Sequence, residues 1–136
     1  MSSESAKPEL AVALNTPHAS EALAWARAIG PALYKVGLPL YLNHGKAFVR
    51  QFREELGSPI FLDLKLGDIP LTVAQAAKAL SDLAPRYLTV HAWAGPEAVR
   101  AAAGELPETR VLGVTVLASL SAERLRDLGF KSPLDA

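Results

Sequence analysis

Short apolar runs alternate with amphipathic stretches along the whole chain. Leu10-Ala11-Val12-Ala13-Leu14 reads as a buried strand, closed by Asn15 and broken by Pro17. Ser20 stands where it caps a helix through Ile29, with Leu23, Ala24 and Ala28 on helical spacing and Gly30-Pro31 as the stop. A second strand over 33–38 encloses Lys35, and a loop with Asn43 and Gly45 leads to a helix carrying Phe48, Phe52 and Leu56. The third strand, 59–66, ends in Asp63-Leu64-Lys65-Leu66-Gly67-Asp68-Ile69-Pro70, and an alanine-rich helix follows over 71–83. A fourth strand over 86–91, a short helix ending near Gly104, a fifth strand over 110–117 and a helix capped by Ser121 through Leu128 complete the pattern.

Five strands separated by helices in strict alternation predict an α/β fold with parallel strands and right-handed crossovers. Residues 1–8 read as a polar tail and 9–136 as one domain. In such folds the C-terminal ends of the strands share one rim, where ligands are held. Asn15, Lys35, Asp63 with Lys65, His91 and Ser119 all fall at or just after strand ends. Singly each has an ordinary reading: a turn residue for Asn15, a satisfied core histidine for His91, a loop or capping residue for Ser119. Lys35 is harder to dismiss, because a lysine inside an apolar strand is rarely buried without a partner. Strand alternation puts Asp63 and Lys65 on one face, and Asp68 follows at a turn, so two carboxylates flank an ammonium. Together these residues describe an anion or polyol site with an acid-base group at its centre.

Charge and composition narrow the partner. Fourteen basic residues balance fourteen acidic ones, which gives no overall field for nucleic acid or an anionic membrane. A small molecule or another subunit is the expected partner. There is no cysteine, and 1–7 lack the apolar stretch of a signal peptide, so a cytoplasmic protein is expected. The three histidines lie in different segments without metal-ligand spacing, so no metal is expected. Neither a G-x-G-x-x-G nor a Walker loop occurs, Ser119 lacks the glycines of a nucleophile elbow, and Trp25 and Trp93 do not interleave with basic residues.

The residues resemble the N-terminal portion of the orotidine 5'-phosphate decarboxylase family, bacterial type. The matching stretches are Val12-Ala13-Leu14-Asn15, Tyr34-Lys35-Val36-Gly37-Leu38, the run from Phe61 to Pro70 with Thr72, Thr89-Val90-His91-Ala92, and Val114-Thr115-Val116-Leu117-Ala118-Ser119. D-x-K-x-x-D alone is shared with sugar-phosphate relatives of the same superfamily. Those usually carry a glutamate at the place of Lys35 and lack Ile69-Pro70, so the pair of motifs points to the orotidylate branch.

The resemblance implies a partial (β/α)8 TIM barrel of about the first five βα units, part of a homodimeric enzyme without cofactor or metal. The activity it implies is decarboxylation of orotidine 5'-phosphate to uridine 5'-phosphate in de novo pyrimidine biosynthesis. By resemblance Lys65 donates the proton, Asp63 lies against the substrate carboxylate, and Asp68 with Thr72 reaches the other subunit's site. Asn15 and Lys35 bind ribose hydroxyls, and Ser119 meets the pyrimidine. Three positions depart from the family's usual residues: Asn15 for aspartate, Leu71 for asparagine and Ala118 for threonine. Asn15 removes a negative charge near Lys35, with an effect expected on affinity more than on chemistry. A complete barrel runs to about 250 residues, so an incomplete chain is expected here. The alternatives are a catalytically silent truncated barrel that binds or assembles, and a sugar-phosphate relative.

Overall fold

The computed structural model describes residues 9–131. Its elements follow the expected order: β1 (Ala11–Ala13), α1 (Ala19–Ile29), β2 (Leu33–Gly37), α2 (Leu38–Leu56), β3 (Ile60–Leu66), α3 (Pro70–Ala79), β4 (Tyr87–His91), α4 (Pro96–Glu105), β5 (Arg110–Val114) and α5 (Ala122–Asp127). The strands form one sheet in the order β1-β2-β3-β4-β5, and β1/β2, β2/β3 and β4/β5 pair in parallel. Each parallel step needs a crossover, which the intervening helices supply. The chain packs as two compact units that divide between Asp63 and Leu64, inside β3.

In the first unit, β2 is covered on both faces, with Leu33, Tyr34 and Val36 buried. Helix α1 buries Ala22, Leu23 and Ala26, and α2 buries Leu40, Phe48, Val49 and Phe52. The Tyr34 ring meets Phe52 edge-on, with centroids 5.3 Å apart. Its hydroxyl donates to the carbonyls of Ala26, at 3.1 Å, and of Gly30. Burial pushes that phenol above its ordinary value of 10.0.

Two local readings change in this unit. Helix α1 starts at Ala19 with His18 at the cap, so Ser20 lies inside the first turn. Thr16 accounts for the earlier start: its hydroxyl accepts from the His18 N–H at 3.1 Å and donates to Glu21. The expected loop around Asn43 is a helical turn, broken only at Gly45 with φ 62° and ψ −161°. The Asn43 amide donates to the Pro39 carbonyl at 2.8 Å, and Gly45 takes a backbone shape that a side chain would resist.

In the second unit, α3 packs against α4. Their buried residues include Ala77, Ala98 and Ala102, whose small side chains allow close approach. Helix α3 stops at Ala79 rather than at 83, and a separate 3-10 turn covers Ser81–Leu83. Strand β5 stops at Val114 rather than at 117. Its ladder runs from Tyr87↔Arg110 to His91↔Val114, and β4 turns into a 3-10 segment at Ala92–Ala94, which leaves 115–117 without a neighbour to pair with. Ser121 caps α5 as expected, its hydroxyl accepting from the Arg124 N–H at 3.2 Å.

Candidate functional site

Lys35 occupies the middle of β2, paired in register with Phe61, and Asp63 pairs with Gly37. The two side chains therefore approach on a diagonal between adjacent strands, and Lys35 Nζ lies 3.0 Å from Asp63 Oδ2. The Asp63 side chain is only 10% exposed and that of Lys35 30% exposed. A carboxylate buried to that degree is costly unless a cation and hydrogen bonds accompany it. Lys35 supplies the cation, so the lysine that the sequence placed inside an apolar strand has the partner it needs.

Just past this point the strand departs from regular geometry. Lys65 has φ +48°, a left-handed backbone in a residue other than glycine. Such a conformation costs about 1–3 kcal/mol and persists only where the surroundings hold it. Its N–H donates to the Thr89 hydroxyl at 2.9 Å, and Thr89 is 5% exposed. Alternation alone therefore does not carry the side-chain direction from Asp63 to Lys65, because the pleat is interrupted at Lys65 itself.

The segment after Lys65 runs close to the end of β4. A Cβ added at Gly67 would stand 3.1 Å from His91 Cδ2, a tight contact that glycine avoids. His91 Nδ1 accepts from Trp93 Nε1 at 3.1 Å, which assigns the ring a structural contact. Asp68 is exposed, and its carboxylate accepts from the Ile69 N–H at 2.6 Å. Thr72, on the first turns of α3, is exposed as well.

Asn15 lies exposed in the loop after β1, and that loop is tied down by Thr16 and by an His44 Nε2 contact with the Pro17 carbonyl at 2.8 Å. Ser119 is exposed in the turn after β5. An apolar cavity of about 460 Å³ opens nearby, lined among others by His91, Trp93, Thr115, Leu117, Leu120 and Phe130, and Ser119 is not in its lining. Sequence reasoning missed Thr16 and Thr89, two of the four buried polar residues of the described chain. Thr89 is an ordinary strand residue and Thr16 an ordinary loop residue by type, so neither hydroxyl announced itself. Among the described residues no group of three His, Asp or Glu side chains could hold a metal, and no helix is long and apolar enough to cross a membrane.

Comparison with known proteins places this arrangement. Residues 8–134 match the Orotidine 5'-phosphate decarboxylase / HUMPS family. The chain belongs to that family. Among family members, the orotidine 5'-phosphate decarboxylase of Thermobifida fusca is 48% identical over 126 residues, which cover 91% of this chain and 54% of that protein. The one from Anaeromyxobacter dehalogenans is 47% identical over 130 residues, 93% of this chain and 57% of that protein. The crystal structure of orotidine 5'-phosphate decarboxylase from Lactobacillus acidophilus superposes with a TM-score of 0.81 at 32% identity, covering 93% of this chain and 61% of that one. The fold is thus a partial TIM barrel, and the chain spans about half the length of the curated relatives it matches.

Proposed function

We propose that the whole protein of which this chain is a part is a cytoplasmic orotidine 5'-phosphate decarboxylase, converting orotidylate to uridylate without metal or cofactor. The ion pair between Lys35 and Asp63 carries this reading. A glutamate at the place of Lys35, as the sugar-phosphate relatives usually have, would set a second carboxylate beside the buried Asp63 and lose the compensating charge. The curated relatives named for the orotidylate reaction, 47% and 48% identical, favour the same branch.

In this reading Lys35 and Asn15 hold the ribose, and Ser119 meets the pyrimidine. Cleavage of the bond to the departing carbon dioxide leaves its electron pair on the ring carbon, in the ring plane and outside the π system. That pair cannot delocalise, so the barrier is high, and enzymes lower barriers by ~8–23 kcal/mol. The Lys65 ammonium stabilises the developing charge and delivers its proton to that carbon. Asp63 lies against the substrate carboxylate, and Asp68 with Thr72 completes the site of a second subunit. Exposed apolar residues beside Asp68 support such a homodimer: Ile69 is 65% and Leu71 66% exposed, and covering them would remove apolar surface from water.

The test is to read the coding sequence beyond Ala136, express the whole frame and follow uridylate formation from orotidylate. Turnover that disappears in Lys65→Ala supports the proposal. Turnover on hexulose phosphates instead would move the protein to the sugar-phosphate branch. A whole protein inert on both would leave a binding or assembly role.

A further inference from the structure

The left-handed backbone at Lys65 needs a holder, and strand β4 supplies one. A positive φ turns the chain away from the path of a regular strand, so ladder bonding does not by itself fix where the Lys65 side chain leaves the backbone. The Lys65 N–H ends on the hydroxyl of Thr89, at 2.9 Å. Two residues further along β4, His91 packs so near the turn that a Cβ at Gly67 would stand 3.1 Å from its ring, and the ring would have to give way by a few tenths of an ångström. The segment from Lys65 to Gly67 is thus held at two points by one strand, once through a hydrogen bond and once through contact. Valine matches threonine in shape and strand preference and has no hydroxyl to desolvate, so a position 5% exposed would favour valine if packing were all that mattered.

We propose that Thr89 is a positioning residue for Lys65: its hydroxyl fixes the strained backbone of the lysine and thereby aims the ammonium. This inference rests on the proposed role of Lys65 as proton donor. Thr89 acts through the backbone of Lys65, and a fixed donor is effective because it needs no reorganisation when charge develops.

The experiment uses the whole protein and three variants, Thr89→Val, Thr89→Ser and Thr89→Ala. In Thr89→Val, kcat is expected to fall tenfold or more while KM for orotidylate stays within about twofold, since contacts to ribose and phosphate are untouched. Thr89→Ser keeps the oxygen and is expected to recover most of the lost kcat. Amide hydrogen exchange at Lys65, followed by NMR, gives a readout independent of turnover: slow in the parent and in the serine variant, at least tenfold faster in the valine variant. Parent-like kcat and parent-like protection in Thr89→Val would overturn the proposal, as would a freely exchanging Lys65 amide in the parent. Should the valine chain fail to fold, the alanine variant carries the same expectations. If the parent does not decarboxylate orotidylate at all, the function reading fails while the exchange comparison still decides whether Thr89 holds Lys65.

Discussion

Lys35, in the first unit, and Lys65, in the second, show two different kinds of constraint. Lys35 lies on a regular strand, and its side chain is fixed at the far end, by the Asp63 carboxylate 3.0 Å away. Lys65 is constrained at its root, by a left-handed φ and a backbone N–H bound to Thr89. A charge meant to stay put is best held by its tip, where the pairing energy is. A group that must meet a charge appearing only in the transition state gains from a backbone that fixes where its side chain starts. The difference predicts that Lys35 serves binding and Lys65 serves chemistry.

The largest expected effect is on the 136 residues taken alone. They hold both lysines, yet phosphate sites of TIM barrels commonly use the loops after strands seven and eight, which lie outside the five strands present here. Contacts to unreacting parts of a substrate offset the cost of orienting the reacting end, so turnover by this segment should be indistinguishable from background. Full turnover by the purified segment would break the comparison, since neither lysine would then need a phosphate grip. Next comes Lys65→Ala in the whole protein, where loss of the proposed proton donor and electrostatic stabiliser should lower kcat on the order of 10⁴-fold or more. Binding of an unreactive substrate analogue should persist. Lys35→Ala should do the reverse and mainly raise KM, by about 10- to 150-fold, the value of a hydrogen bond to a charged group of ~1.5–3 kcal/mol. Equal kcat losses in the two variants would erase the distinction.

Subunit mixing sharpens the assignment of Asp68. If Asp68 completes the partner's site, chains carrying Asp68→Ala and chains carrying Lys65→Ala are each inactive, but a hybrid dimer holds one intact site. Random exchange makes about half the dimers hybrids, so about a quarter of parent activity should return for a two-fold symmetric dimer. No recovery after exchange verified by mass would place Asp68 in its own subunit's site.

The two lysines also differ in how far the sequence revealed them. The need of Lys35 for a partner was legible, because a cation inside an apolar strand demands a counter-charge, but its identity was not: strand alternation set Asp63 beside Lys65, and the register of β2 on β3 brings it to Lys35. The element order was legible for the same reason: apolar runs separated by capped amphipathic stretches leave few topologies. The geometry at Lys65 was hidden, since lysine has no preference for a left-handed backbone and only glycine or asparagine would have signalled one. Boundaries failed where a distant partner decides them. Residues 115–117 have strand chemistry, but β4 ends at His91, so they find no ladder. Ser20 is a good cap by type, yet the Thr16 hydroxyl organises the turn before it and the helix starts earlier.

The smallest effect concerns what keeps β2 in place beneath Lys35. Tyr34 precedes it, is fully buried, and hydrogen-bonds back to the end of α1. Burial raises the pKa of this phenol above 10.0, while in the unfolded chain it titrates near 10. Below about pH 10 both states hold the proton, and Tyr34 adds no pH dependence. As pH rises further the unfolded state loses the proton first, so the stability contributed by the neutral, buried phenol falls until the raised folded value is passed. The slope is at most about 1.4 kcal/mol per pH unit for one group. Tyr34→Phe removes this slope together with the hydrogen bond that the hydroxyl's single proton shares between two carbonyls, worth roughly 1 kcal/mol. Thermal melts of parent and variant between pH 8 and 11.5 isolate the effect, because every other titrating group is common to both chains. The parent should melt higher at pH 8, and its advantage should shrink as pH climbs past 10. Parallel curves across that range would mean that Tyr34 titrates alike in both states, and that β2 under Lys35 yields to solvent more readily than its burial implies.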